Sequence, residues 1–288
     1  MPKAKDVING KGIGESSKKL YLANLKRLNN GVEPTNYKFL ENVQVIEDKI
    51  EKYSTNTKRT YYISIVSYLP EKNKLRKYYY DKMMQINKET RENTEKSPKQ
   101  KENWMTQEEV NTVWEALGKE AEPLLKKKTL DAPQEKLLQS YIILSLFVLQ
   151  PPRRSLDYTQ MVVVPSYDEN MDKKFNYFDL KSKKFHFCNY KTAGTYKTQT
   201  VPVSDKLYTL LKKYRKSGLL LQRNDKALTS PDITHVLNKV FDKKVSVNML
   251  RNIYLSSKFG NESKELTQDV ADMGTSVNSA MHQYIKQD

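Results

Sequence analysis

Cysteine and histidine are scarce in this sequence. Among 288 residues there are one cysteine, Cys188, and three histidines. A single cysteine excludes an internal disulfide bond and any zinc site built on several cysteines, and such usage is typical of a reducing compartment. We therefore expect an intracellular protein that needs neither a metal nor another cofactor.

Long apolar segments are also missing. The most apolar run, 141–149, is far shorter than the roughly 20 residues that a helix needs to cross a bilayer. The first residues, MPKAKDVINGKG, contain no apolar segment like that of a signal peptide. The sequence predicts no association with a membrane.

Positive charge, in contrast, is abundant. Lysine and arginine number 50 against 34 aspartates and glutamates, which gives a formal net charge of +16. A surplus of this size fits a polyanionic partner, and nucleic acid is the first candidate. A lysine-rich protein from an AT-rich genome would have a similar composition, so charge alone does not decide the function.

A polar, charged stretch at 92–102, ENTEKSPKQKE, predicts a linker between two domains. Residues 1–98 are expected to form a small helical bundle. Its helices are predicted to begin near Ser16, Tyr37, Thr57 and Lys74. Residues 103–288 form the second predicted domain.

The second domain has sequence features of both helices and strands. Thr106 and Glu109 predict a capping box, and the apolar segment 133–150 predicts a buried helix that ends at a double proline. Strands are expected at 161–164, 185–190 and 198–203, the last two joined by a turn at 193–194. Further helices are expected from Ser204, Ser230, Ser246 and near Ser263, with Gly260 and Gly274 as C-terminal stops. The predicted fold class is mainly α with a small antiparallel sheet (α+β).

Four separated segments of this domain carry residues suited to phosphate chemistry. They are PPRRSLD at 151–157, FHFCNYKTAGTYKTQTVPV at 185–203, SVNMLRN at 246–252, and MGTS at 273–276 followed by Tyr284. In this order they resemble the active-site segments of the tyrosine recombinases, the phage-integrase-like family. The resemblance lies in a pattern of short motifs and not in a long identity.

The resemblance implies a role for individual residues. Arg154 and Arg251 match the two catalytic arginines, with Arg153 as the alternative to Arg154, and Asp157 matches the acidic residue after the first arginine. Lys191 matches the hairpin lysine, with Lys197 as the alternative. Asn248 and Thr275 occupy positions where the family usually has histidine, or tryptophan in the second case. Tyr284, nine residues after Thr275, matches the nucleophile.

The chemistry explains why these residue types are needed. A tyrosine that attacks a phosphodiester must lose a proton of pKa about 10, and the transition state must be stabilised at the non-bridging oxygens. Arginines supply permanently charged paired donors there, and a lysine protonates the leaving oxygen. The phosphotyrosyl bond conserves the energy of the broken bond, so ATP is not required, consistent with the lack of a GxxxxGK[ST] motif.

The resemblance therefore implies a site-specific DNA recombinase or integrase that works through a 3′-phosphotyrosyl intermediate. It implies two domains that clamp double-stranded DNA, and a homo-tetramer on two duplexes. Composition and the long connection between 156 and 185 are more similar to integrases of mobile elements or large eukaryotic DNA viruses. Two alternatives are a type IB topoisomerase and a DNA-binding relative whose active site has decayed.

Overall fold

A computed structural model describes residues 3–93 and 95–273, together with 277 and 281. The chain divides into two compact units, Met1–Glu95 and Lys96–Asp288. The division falls within the stretch 92–102. Part of that stretch is a short helix, because Ser97 and Gln100 form a capping box at its start.

The first unit is helical. Its helices are α1 (Ala4–Asn9), α2 (Glu15–Leu28), α3 (Val43–Glu51), α4 (Thr55–Tyr68) and α5 (Lys74–Glu92), with a 3-10 helix at Lys38–Leu40. The central helix is α4, which packs against α2 and α5. It buries Tyr61, Tyr62 and Ile65, and it ends just before Pro70, which cannot continue a helix.

The second unit contains eight helices and seven strands within the described residues. The helices are α6 (Pro98–Asn103), α7 (Gln107–Ala121), α8 (Ala132–Val148), α9 (Leu156–Thr159), α10 (Ala193–Tyr196), α11 (Asp205–Tyr214), α12 (Ser230–Phe241) and α13 (Val247–Asp272), with a 3-10 helix at Glu122–Lys126. The strands are β1 (Met161–Val164), β2 (Asn176–Asp179), β3 (Lys184–Phe187), β4 (Gln199–Pro202), β5 (Gly218–Leu219), β6 (Gln222–Arg223) and β7 (Lys226–Ala227).

Helix α8 is the centre of this unit, and it packs against α7, α11 and α12. Its apolar residues form one core with the aromatic side chains of the sheet, among them Phe178, Phe185 and Phe187. The predicted capping box of α7 is confirmed: the Glu109 amide donates to Thr106 Oγ1 at 3.1 Å and the Thr106 amide to Glu109 Oε2 at 2.6 Å. No helix in the described part of the chain is both long and apolar enough to span a membrane.

The expected class, mainly α with a small sheet, is confirmed, but the sheet is mixed rather than purely antiparallel. Its order is β4-β3-β2-β1-β5. Strand β2, which the sequence did not predict, runs parallel to β1, whereas the other pairs are antiparallel. The segment 165–175 makes this possible, because it returns the chain to the end of the sheet where β1 began.

Two local predictions are wrong. The connection from β3 to β4 contains the short helix α10 where a tight turn at 193–194 was expected. Helix α13 continues through Gly260, so no new helix begins near Ser263. A glycine inside a helix costs about 1 kcal/mol, and that is too little to stop a helix whose neighbouring residues favour it. Gly274 lies outside the described residues.

Candidate functional site

The first feature of the site is a buried carboxylate next to two consecutive arginines. Helix α8 ends at Val148, and α9 then places Asp157 with only 1% of its surface exposed. A buried carboxylate requires a charged or hydrogen-bonding partner. Arg153 is that partner, since its Nε donates to Asp157 Oδ2 at 2.8 Å.

Arg153 also contacts residues of the sheet and of the segment after β3. Its Nη1 donates to Gln199 Oε1 at 3.1 Å, and its guanidinium lies 3.8 Å from the ring centre of Phe187 and 5.3 Å from that of Tyr190. A guanidinium that stacks on rings and bonds a buried carboxylate is fixed in place. These intramolecular contacts therefore fix the position of the Arg153 side chain.

Arg154 and Arg251 are in a different situation. Both are partly exposed, and within the described ranges neither side chain forms a hydrogen bond or an ion pair. Their charges nevertheless act on each other: burial lowers the pKa of Arg251, and the nearby positive charge of Arg154 lowers it further, while Asp157 opposes this. The fold thus brings together two arginines that are far apart in the sequence.

The local charge is positive. Burial raises the pKa of Asp157, and the charges of Arg153, Arg154 and Arg251 act against that rise. Three guanidinium groups therefore act electrostatically on one carboxylate, of which only Arg153 is in direct contact within the described residues, and the second oxygen, Oδ1, has no hydrogen-bond partner there. The guanidinium groups of Arg154 and Arg251, which have no partner among the described residues, are suited to bind an anion.

Helix α13 presents Arg251 in its second turn. Ser246 Oγ accepts a hydrogen bond from the Met249 amide at 3.2 Å, which caps the start of the helix. Buried Leu250 and Ile253 fix this end in the core. Asn248 lies one turn before Arg251 and is exposed, as expected for a residue that could face a ligand, but no described contact joins it to the arginines.

The two candidate lysines lie on the connection between β3 and β4. Lys191 and Lys197 are both exposed. Tyr190 donates its hydroxyl to the Lys197 carbonyl at 2.9 Å, and Lys197 has a positive φ of 56°. Lys191 and Lys197 therefore remain alternative candidates for the same role. Both lie on a connection in which the Tyr190–Lys197 hydrogen bond joins the first residues to the last.

Asn176, which the sequence did not indicate, fixes the start of this connection. Its Oδ1 accepts from the amides of Cys188 and Asn189, each at 2.8 Å, and its Nδ2 donates to the carbonyls of Asp157 at 2.8 Å and Asn189 at 2.9 Å. Gln199 was missed as well. No local signal marks either residue, because the groups that they bond are distant in the sequence.

Two of the expected site residues, Thr275 and Tyr284, lie outside the described residues. Within the described part of the chain, no three His, Cys, Asp or Glu side chains come together as metal ligands would. Comparisons with protein-family models, curated proteins and solved structures found no match to this chain.

Proposed function

We propose that this protein is a tyrosine-type DNA strand transferase, a site-specific recombinase or integrase that cleaves and rejoins double-stranded DNA. The observation that carries the proposal is that Arg154 and Arg251, which have no side-chain partner among the described residues, lie close enough to interact electrostatically with each other and with Asp157 of the Arg153–Asp157 ion pair. Two free guanidinium groups suit the non-bridging oxygens of one phosphate. The formal net charge of +16 adds a long-range attraction for DNA.

In the proposed reaction the Tyr284 hydroxyl oxygen attacks a DNA phosphorus and its proton passes to solvent. The bond from phosphorus to the 5′ oxygen breaks, and Lys191, or Lys197 in its place, donates a proton to that oxygen. The products are a 3′-phosphotyrosyl bond and a free 5′-hydroxyl. Attack of a partner strand's 5′-hydroxyl on the phosphotyrosyl bond rejoins the DNA and restores the tyrosine.

Arg154, rather than Arg153, is assigned to the phosphate. Arg153 already uses Nε on Asp157 and Nη1 on Gln199, and its guanidinium face lies over Phe187. Recruiting it to a phosphate would leave the Asp157 carboxylate buried and unpaired, which costs several kcal/mol. Arg154 has no such contacts to break in the part of the chain that the structure describes.

The helical unit is proposed to supply further DNA contacts. Lys19, Lys26 and Arg27 on α2 are exposed, as is Tyr80 on α5, whereas Tyr79 is buried and donates to the Leu40 carbonyl at 3.2 Å. As in the recombinases that the sequence resembles, the working form is proposed to be a homo-tetramer on two duplexes.

Covalent capture tests the proposal. The protein is incubated with nicked duplexes from a library of sequences, so that the cleaved strand end diffuses away, and adducts are resolved under denaturing conditions. We expect a DNA adduct with the wild type and none with Tyr284→Phe, which removes only the nucleophilic oxygen. Tyr254→Phe, on α13 one turn after Arg251, is the matched control and should retain the adduct.

The outcomes separate the possibilities. An adduct that persists in Tyr284→Phe but is lost in Tyr254→Phe would show that the nucleophile is assigned to the wrong tyrosine. Failure of the wild type to form any adduct, together with salt-sensitive DNA binding, would favour a decayed DNA-binding relative. Relaxation of a supercoiled plasmid without exchange between two sites would favour a type IB topoisomerase.

A further inference from the structure

Arg153 contacts both ends of the connection that carries the two lysines. The connection begins after Phe187 and ends at Gln199, and the guanidinium stacks on the first of these and donates to the second. It also lies over Tyr190, whose hydroxyl holds the Lys197 carbonyl. The Arg153 side chain therefore joins the segment 151–157 to both ends of the connection that carries Lys191 and Lys197.

We propose that Arg153 is a positioning residue that fixes the β3–β4 connection, and with it the proton-donating lysine, against the phosphate-binding arginines. This inference rests on the proposed function. It holds whether the proton donor is Lys191 or Lys197, because both lie between the points that Arg153 contacts. The inference gives the two adjacent arginines separate tasks: Arg154 binds the phosphate and Arg153 holds the lysine.

The surrounding bonds support a fixed link. Asp157 anchors the other side of the Arg153 guanidinium at 2.8 Å, and its own carbonyl accepts from Asn176, which binds the amides of Cys188 and Asn189. The carboxylate, the arginine and the first residues of the connection are thus joined by charge-assisted and buried hydrogen bonds, which hold geometry better than exposed ones. If Arg153 were lost, Asn176 would still link Asp157 to the first residues of the connection.

The test uses two nicked substrates that differ in one atom, the 5′ bridging oxygen or a sulfur in its place. A thiolate leaves without a proton, so a defect confined to the lysine is rescued on the sulfur substrate. Arg153→Met keeps an apolar stem against Phe187 but removes the ionic and hydrogen bonds. We expect its cleavage of the oxygen substrate to fall by about tenfold to a hundredfold and its cleavage of the sulfur substrate to stay near the wild-type rate. Arg154→Ala should be slow on both substrates.

Gln199→Leu provides a second variant that leaves the Arg153–Asp157 pair intact, and it decides the question if Arg153→Met does not fold. It should show the same rescue with a smaller defect. Thr200→Val is the matched control, since Thr200 follows on the same strand and contacts His186 Nδ1 at 3.1 Å instead of the arginine. It should cleave both substrates at the wild-type rate.

Hydrogen exchange provides a readout that does not need activity. Peptides that cover 188–198 should exchange faster in Arg153→Met than in the wild type, whereas those from α7 should be unchanged. Equal exchange, or a cleavage defect that the sulfur substrate does not rescue, would overturn the positioning role. A wild-type protein that forms no adduct with either substrate would overturn the recombinase proposal, and exchange would still decide whether Arg153 fixes the connection.

Discussion

Removing the charge of Arg154 or Arg251 should make the isolated protein more stable. In the absence of DNA the site holds three guanidinium groups against one carboxylate, and Arg153 already pairs with that carboxylate at 2.8 Å. Among the described residues neither Arg154 nor Arg251 has an ionic partner, and the positive charge of Arg154 lowers the pKa of Arg251. We therefore expect the repulsion between these charges to lower the stability of the protein without a bound anion, as is common for sites that trade stability for function.

The size of the effect follows from Coulomb's law. Two unit charges 4 Å apart repel by about 1 kcal/mol in water and by about 4 kcal/mol at an effective dielectric constant near 20. Both arginines are partly exposed, so solvent screening places the effect near the lower value. We expect Arg154→Gln and Arg251→Gln each to raise the free energy of unfolding by about 0.5–1 kcal/mol at low ionic strength.

Denaturant unfolding at two salt concentrations measures the effect. The gain should shrink at about 1 M salt, where the Debye length falls to about 3 Å. Arg223→Gln is the control: Arg223 is exposed and pairs with Asp232 at 3.7 Å, so its loss should change stability little or lower it slightly. A loss above about 1 kcal/mol in both site variants at low salt would refute the reasoning, because it would mean that these arginines have structural partners.

Three further predictions concern binding, packing and pH. DNA affinity of the wild type should fall steeply with salt, since each neutralised phosphate releases about 0.9 of a counterion; a flat dependence in a binding titration would argue against DNA. Asn176→Leu should lower the free energy of unfolding by about 2–4 kcal/mol, because two amides and two carbonyls lose their partner; a loss below about 1 kcal/mol in denaturant unfolding would contradict the buried network. Burial raises the pKa of Asp157, so the carboxylate binds a proton more readily in the folded state than in the unfolded state. The contribution of Asp157 to the free energy of unfolding should therefore increase as the pH falls towards the ordinary aspartate pKa of about 3.9. Unfolding curves measured at pH values above this ordinary value should differ between the wild type and Asp157→Asn by this contribution to the slope.

Helix starts and the first strand could be predicted because their signals are local. The capping box at Thr106 and Glu109 lies within one turn of α7, and the strand at 161–164 coincides with β1. The end of the buried helix α8 was predicted because a double proline lies just beyond it. Each of these elements is determined by a few neighbouring residues.

The elements that the sequence did not predict depend on contacts with residues that are distant in the sequence. Strand β2 has no alternation, since all four of its residues are buried between β1 and β3. The short helix α10 ends at Tyr196, and the carbonyl of the next residue, Lys197, accepts a hydrogen bond from Tyr190 at the other end of the connection. Local propensity gives no information on such tertiary contacts.

The candidate site also has features that the sequence indicated and features that depend on distant residues. The sequence motifs indicated Arg154, Arg251 and Asp157, and the fold brings them together. The choice between Arg153 and Arg154 could be argued only from spacing, because neighbouring arginines have the same chemistry. What distinguishes them is their surroundings, which the linear sequence does not specify.

A single buried carboxylate explains why adjacent arginines differ. Asp157 can pair closely with one guanidinium, and Phe187 and Gln199 provide a place that Arg153 fills. Arg154 has no such partner in the part of the chain that the structure describes, and its positive charge lowers the pKa of Arg251. In the proposed function the Arg153–Asp157 pair therefore leaves Arg154 and Arg251, unpaired among the described residues, for a phosphate, so stability and the proposed anion binding would depend on the same carboxylate.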